Sequence, residues 1–329
     1  VNMKFSYSRF ASYLRCPYKH YLGYYVGLRK NAPVKPLYFG TDFHKLLELR
    51  NRPEELAQAQ KAIGDAYYDL PPKWQEELGE DYLFNLQSIF SDYIEIYKDS
   101  PQPTQTERPF EIEIGSYKGE PIIFNGIIDE VYKYRRNGEK MCKLGDHKTF
   151  NRKPDQNVLV MNTQKNLYAK AMYIMTGVMP KSFIWDYIHS TPASMPIWLP
   201  KSGKFSQAKS NNITPFSWRR ACELKGITDI EILRQGNMYA NNVSNFFFRC
   251  ELDIVPSMVD NIFDGFKYTC RDIVRQGHKN KTKNMTPDCK FCEYRDICFT
   301  ELTEGDVDNL IAREYEIHER EDSKFIEGV

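Results

Sequence analysis

Two short segments in the middle of the chain carry residues whose types and spacing suit metal-assisted chemistry. Segment 123–129 ends in the carboxylate of Asp129, and Asp146, His147 and Lys148 follow seventeen to nineteen positions later. If both segments are strands, alternation places Asp146 and Lys148 on one face and His147 on the other. If the strands pair, Asp129 and Asp146 converge on one point. Two aspartates there offer the oxygen ligands that a hard divalent ion such as Mg²⁺ or Mn²⁺ prefers. Lys148 would then orient an attacking water or stabilise charge on a phosphate.

Asp-x-Lys alone says little, since charged strand ends are common. Two further groups accompany it. His44 sits in the run Gly40-Thr41-Asp42-Phe43-His44-Lys45-Leu46-Leu47-Glu48, which reads as helix. Gln164 and Tyr168, four apart on a later helix, share a face.

A second constellation is made of cysteine. Cys289 and Cys292 form a C-x-x-C, and Cys298 follows. Two thiolates at that spacing face one metal centre from a tight turn. Three ligands leave the set incomplete, and Cys16, beside Pro17, is the best fourth. Such a closure would join the two ends of the chain, and zinc and an iron–sulfur cluster both remain open. Cys142, Cys222, Cys250 and Cys270 lack ligand spacing and read as buried thiols.

These groups need elements to hold them. Ser8 reads as the cap of a first helix carrying Phe10, Tyr13 and Leu14, which Pro17 ends. A second helix should begin near Thr41, and a third should run from Asp81 to Lys98 on Leu86, Ile89, Phe90, Tyr93 and Tyr97. Phe110, Ile112 and Ile114 alternate with glutamates as in a strand. Segments 122–131 and 141–146 read as strands joined by a turn at Asn137-Gly138. A helix over 162–175 stops at Gly177, and 183–188 and 246–255 are further strands. Ser257 reads as the cap of a helix on Val259, Ile262, Phe263 and Phe266. Residues 200–245 are polar and read as an insertion on a single domain spanning 1–300, with 301–329 as a charged helix and tail. The result is an α/β core with a mixed central sheet flanked by helices.

Composition sets broad bounds. The chain has 329 residues and is 41% hydrophobic, enough for a sizeable core. Net charge is only +1, so anion binding would depend on local patches. Candidates are Lys279, Lys281 and Lys283 before the cysteine triplet, and Arg219-Arg220 in the insertion. No apolar run is long enough to span a bilayer and the first residues have no signal-peptide core, so a cytoplasmic location and no membrane partner are expected. Eight cysteines in such a chain suggest metal ligands or buried thiols rather than disulfides.

Taken in order, Cys16-Pro17, Gly40 to Glu48, Gly126 to Asp129, Asp146 to Lys148, Gln164 to Tyr168 and the cysteine triplet resemble the RecB-like branch of the PD-(D/E)XK nucleases. That branch includes Cas4 and the AddB nuclease domain. The resemblance implies a restriction-endonuclease-like core whose N- and C-terminal segments are joined by a four-cysteine cluster. It implies that His44, Asp129, Asp146 and the backbone carbonyl of His147 hold Mg²⁺ or Mn²⁺, and that Lys148 is the catalytic lysine. Gln164 and Tyr168 would position the DNA backbone. Cys16, Cys289, Cys292 and Cys298 would hold a structural [4Fe–4S] cluster, with zinc the alternative. The implied activity is exonucleolytic cleavage of DNA with free or single-stranded ends in recombination, repair or phage-type processing. A recombination, helicase or integrase protein is the implied partner. A Cas4-like trimming role and a silent DNA-binding scaffold are the alternatives. No phosphate-binding loop of the ATPase kind occurs, so the chain is no helicase motor by itself.

Overall fold

A computed structural model describes residues 3–32, 34–206 and 210–318. Lys209 of the insertion and the tail beyond residue 318 lie outside the described residues. Among the described residues the strands are β1 (Met3–Phe5), β2 (Leu28–Lys30), β3 (Gln105–Tyr117), β4 (Glu120–Arg136), β5 (Glu139–Phe150), β6 (Ser182–His189), β7 (Trp198–Leu199), β8 (Lys204–Phe205), β9 (Phe247–Asp253) and β10 (Tyr315–Ile317).

The central sheet is mixed, as expected. β4 pairs antiparallel with β3 along one edge, and its other edge is shared. β1 pairs parallel with Ile122–Phe124, and β5 pairs antiparallel from Glu130 onward. Residues 125–129 therefore have no strand partner on that edge, and Asp129 closes this gap. β6 runs parallel to β5, and β9 antiparallel to β6. Asn137 and Gly138 close the β4–β5 hairpin with φ of 52° and 81°. Both values are positive, as a tight two-residue turn matching strand twist requires.

Helices cover both faces. On one, Thr163–Thr176 and Pro256–Gln276 pack with Phe110, Phe124, Leu144, Leu167 and Phe266 into the larger core. On the other, Lys35–Leu49 and Tyr82–Tyr97 bury Phe43, Leu46, Leu86 and Tyr93. The Thr163–Thr176 helix has the termini read from sequence: Asn162 caps it, accepting from Lys165 N, and Gly177 ends it in the left-handed region.

Some details differ from expectation. Ser6, not Ser8, caps the first helix (Tyr7–Arg15), its hydroxyl accepting from Arg9 N. Ser8 falls on the helix surface instead. The second helix starts six residues before Thr41, because Pro36 suits a first-turn position where no N–H is needed. The helix assigned to a Ser257 cap begins at Pro256, with Val255 at the cap position and no side-chain cap bond.

The polar stretch 200–245 folds on its own small core of Phe205, Ile213, Trp218, Ala221, Cys222 and Tyr239. Few apolar residues suffice because Trp218 is fully buried and its indole N–H donates to Ile232 O at 2.8 Å. The two chain ends also meet. β10 pairs with β2, and Tyr18, Leu22, Leu28, Tyr294, Ile297 and Tyr315 form a common core beside Cys16, Cys292 and Cys298. No helix among the described residues is long and apolar enough to cross a membrane.

Candidate metal centre

The site forms where the β4–β5 ladder ends. The last ladder pair is Glu130 with Gly145, one step from Asp129 and Asp146. Beyond it, the Asp129 carboxylate takes over the role of a ladder carbonyl and accepts from His147 N at 2.9 Å. Gly126, three residues earlier, lies under the Phe110 ring. A Cβ there would come within 2.8 Å of Phe110 Cζ, so a side chain at this point of β4 would have to displace the ring.

The helix Lys35–Leu49 brings His44 onto this point. His44 Nε2 lies 3.0 Å from His147 O, and Nδ1 lies 3.6 Å from Asp129 Oδ2. Burial pushes the His44 pKa down, against the pull of Asp129, so the ring is neutral at neutral pH. With its proton on Nε2, facing the carbonyl, the Nδ1 lone pair is left toward Asp129. Burial works against the Asp129 charge, but a hydrogen bond with the His147 side chain and the neighbouring His44, His147 and Lys148 hold its pKa below the usual range.

Lys148 and Asp146 share the opposite face of β5. Lys148 Nζ is 2.5 Å from Asp146 Oδ2, a close ion pair. Gln164 Nε2 donates to Asp146 Oδ1 at 2.8 Å. Burial pushes the Asp146 pKa up to about 7, in spite of Lys148, and Asp129 adds to the rise. The Lys148 pKa is also raised, because Asp146 and Asp129 outweigh its own burial, so its amine stays protonated.

The His147 ring points to the other face, into buried charges that the sequence reading missed. Its Nε2 lies 3.5 Å from Glu130 Oε1, 3.8 Å from Asp186 Oδ2 and 3.3 Å from Tyr93 Oη. Arg50 pairs with Glu130 at 2.6 Å and Arg249 with Asp186 at 2.5 Å. Despite burial, Glu130, Asp129 and Asp186 push the His147 pKa up to about 9. A protonated ring offers no lone pair. Although His44, Asp129 and His147 offer side-chain atoms within 4.8 Å of one another, the backbone oxygen is the better donor of His147. Asp186 alone had left a trace in the sequence, as one carboxylate inside the apolar run 183–188.

The Asp129 carboxylate, a neutral imidazole and a carbonyl fit a divalent ion, with Asp146 one step past the ladder end as the further carboxylate. The raised Asp146 pKa is what an absent positive charge would leave behind.

Of the other expected residues, Gln164 and Tyr168 are buried and face inward. Gln164 binds Asp146, and Tyr168 packs on Phe110 and Phe124. Lys283 pairs with Glu301 at 2.5 Å, and Arg220 pairs with Asp92, so neither ammonium nor guanidinium is free for a phosphate. Lys281 lies 4.4 Å over the Tyr21 ring, and Lys279 is exposed. Cys16, Cys289, Cys292 and Cys298 all line one cavity of about 140 Å³. Burial raises the Cys292 thiol pKa and lifts that of Cys298 to about 11.

Glu107 is the largest omission. The β3–β4 register sets it opposite Asp129, between the pairs Thr106–Glu130 and Arg108–Ile128. Its φ of 47° lies in the left-handed region, strained for a glutamate. Burial, then Asp129 and Glu48, push its pKa up to about 7. A raised carboxyl binds more protons folded than unfolded, so its contribution to stability falls as pH rises through 7. Glu107→Gln is therefore expected to raise the melting temperature of EDTA-treated protein at pH 8 by more than at pH 5. An equal change at both pH values would mean that its charge is not crowded.

The model of the PD-(D/E)XK nuclease superfamily matches residues 4–299. Among solved structures, the crystal structure of SSO0001 is similar, with 12% identity, 78% of this chain and 83% of that chain covered, and a TM-score of 0.32. No curated protein matches. Because the family match spans residues 4–299, most of the chain, the chain belongs to the PD-(D/E)XK nuclease superfamily.

Proposed function

We propose that the protein is a Mg²⁺- or Mn²⁺-dependent deoxyribonuclease acting on DNA ends, within the RecB-like branch of its superfamily. The observation that carries this reading is the meeting of His44, Asp129 and the His147 carbonyl on one side of the ladder end and Asp146 with Lys148 on the other. A catalytically silent scaffold would not need this set intact.

His44, Asp129, Asp146 and the His147 carbonyl would hold the ion. When bound, it supplies Lewis-acid stabilisation of phosphoryl charge and a water of lowered pKa. Lys148 is protonated, so it acts as a cation. It stabilises the negative charge that grows on the phosphate and does not serve as the base. Gln164 fixes Asp146 and so sets where Lys148 rests. The Glu130, Asp186 and Tyr93 contacts hold His147 from behind, which fixes its carbonyl.

We further propose that Cys16, Cys289, Cys292 and Cys298 hold a [4Fe–4S] cluster as a staple. All four line one cavity at the junction of the two chain ends, which supports a shared centre.

Incubating the purified protein with 5′- or 3′-end-labelled DNA tests the main reading. Cleavage is expected with Mg²⁺ or Mn²⁺, with mononucleotides or short fragments released from ends and none released in EDTA. Undiminished cleavage in EDTA, or none with either ion, would remove the metal-nuclease assignment.

A further inference from the structure

Beside the Lys148 ammonium stands a tyrosine to which neither the metal centre nor the core packing gives a task. Strand β1 runs parallel to β4 as far as the pair Phe5–Phe124, and the chain then turns at Ser6 into the helix Tyr7–Arg15. Tyr7 is therefore the first helical residue beside 125–129, the stretch of β4 that lacks a strand partner on that edge. Phe10, one turn on, packs edge-on against Phe266 with ring centres 4.9 Å apart. This puts the helix on the face of the sheet covered by Thr163–Thr176 and Pro256–Gln276. Gln164 reaches Asp146 on that face, whereas His44 comes from the opposite one.

Three tyrosines surround the Asp146–Lys148 pair there. Tyr7, Tyr168 and Tyr187 all feel the Asp146 charge, and Tyr187 is the register partner of Lys148 in β6. Tyr168 and Tyr187 are buried, while Tyr7 is half-buried and keeps access to solvent. Tyr168 interacts with Gln164. The Tyr7 hydroxyl has no hydrogen-bond partner among the described residues.

The chemistry open to this hydroxyl is narrow. A phenol ordinarily titrates near 10. Burial pushes the Tyr7 pKa up and Lys148 pulls against it, so the group is neutral and has a proton to offer. It cannot serve as the base, because its anion would stand beside the Asp146 carboxylate. What remains is donation. A donor fixed in advance beside a cation suits the phosphoryl oxygens, where negative charge grows in the transition state.

We propose that Tyr7 is a catalytic residue whose hydroxyl donates a hydrogen bond to a non-bridging oxygen of the scissile phosphate, beside the Lys148 ammonium. The proposal rests on the nuclease reading and adds a second donor to the phosphate site.

Tyr7→Phe removes the donor and keeps the ring in its packing, so an unchanged melting temperature is expected. On end-labelled DNA with Mn²⁺, kcat should fall about 10- to 100-fold while KM changes by less than about threefold, as for a contact made in the transition state alone. A structural role is separated by oligonucleotides carrying one phosphorothioate at the bond that is cut, tested as each diastereomer. Sulfur accepts hydrogen bonds poorly. In wild type, the diastereomer with sulfur at the Tyr7 position should be cut more slowly than ordinary DNA. In Tyr7→Phe that deficit should shrink by about the factor lost on ordinary DNA, and the other diastereomer should respond as in wild type. Wild-type kcat in Tyr7→Phe would overturn the proposal and leave the nuclease reading intact. So would a loss of kcat with both deficits unchanged, which would make the effect one of packing. Wild type that cuts no DNA with Mg²⁺ or Mn²⁺ would instead sink the nuclease reading, and the Tyr7 contact with it.

Discussion

Replacing Lys148 with alanine is expected to cut metal-supported cleavage by roughly 100-fold or more, the scale seen when one preorganised electrostatic contact to a transition state is lost. DNA binding should change little, because the ammonium is committed to Asp146 before substrate arrives. The variant has a second consequence that must be separated from the first. Asp146 is 2% exposed and its pKa is already pushed up to about 7 by burial. Without Lys148 that pKa rises further, and a protonated Asp146 is a poor ligand. If Lys148 acted only by keeping Asp146 ionised, activity would return at pH 9. We expect it not to return, since the missing cation belongs to the transition state. Near-complete recovery at pH 9 would reduce Lys148 to a tuning role. Asp146→Asn should also abolish cleavage, yet stabilise the metal-free protein above pH 7. Between the unfolded carboxyl pKa of about 3.9 and 7 the folded state holds the extra proton, so stability drops as pH rises through that window. The asparagine variant has no such proton to lose.

The site was legible where its chemistry is local and illegible where it depends on register. Asp146 and Lys148 are two apart on a strand, so alternation alone sets them together. His44 could be read because helical periodicity and an ordered set of short motifs framed it. Glu107 could not, because only the pairing of β3 with β4 puts it opposite Asp129. The Arg50–Glu130 and Arg249–Asp186 pairs were hidden for the same reason: each joins residues dozens of positions apart. The contact of Gln164 was hidden because four-residue spacing fixes which residues share a face but not what that face meets. It meets Asp146.

The fold shows the same division. The helix 163–176 and the Asn137-Gly138 turn carry their own stop signals, and their limits agree with the sequence to within a residue or two. The first helix was misjudged at its cap because Ser6 and Ser8 both suit the position. What decides is that Ser6 keeps extended backbone angles while Ser8 has entered the helix. Residues 200–245 read only as a polar insertion because their core rests on a few long-range aromatic contacts around Trp218, with little periodicity. Likewise nothing local announces that 315–317 will pair with 28–30, since three-residue strands are too short to leave a pattern.

That terminal pairing bears on the cysteine staple. Cys16→Ala is expected to yield protein with little iron, a melting temperature lower by at least about 5 °C, and faster proteolysis at both ends. The reasoning is topological. A bond between Cys16 and the 289–298 segment closes nearly the whole chain into one loop. The loop-closure estimate for so long a crosslink is roughly 5 kcal/mol, taken mainly from the unfolded chain. Weaker links span the same junction: Tyr18 N donates to Thr282 O at 3.0 Å, and Tyr294 Oη donates to Leu28 O at 2.7 Å. Those links should keep the variant folded at low temperature, with Asp129 and Asp146 still in place, so activity should fall with heating and not at once. Cys142→Ser is the control, since that thiol is buried on β5 away from the cavity and should leave metal content unchanged. Anaerobically purified wild type should be brown, with iron and sulfide near four each per chain. Colourless protein with about one zinc per chain would replace the cluster but retain the staple. Full metal content in Cys16→Ala would show that the first helix contributes no ligand, and the end-to-end closure would then rest on the β2–β10 pairing and the shared aromatic core alone.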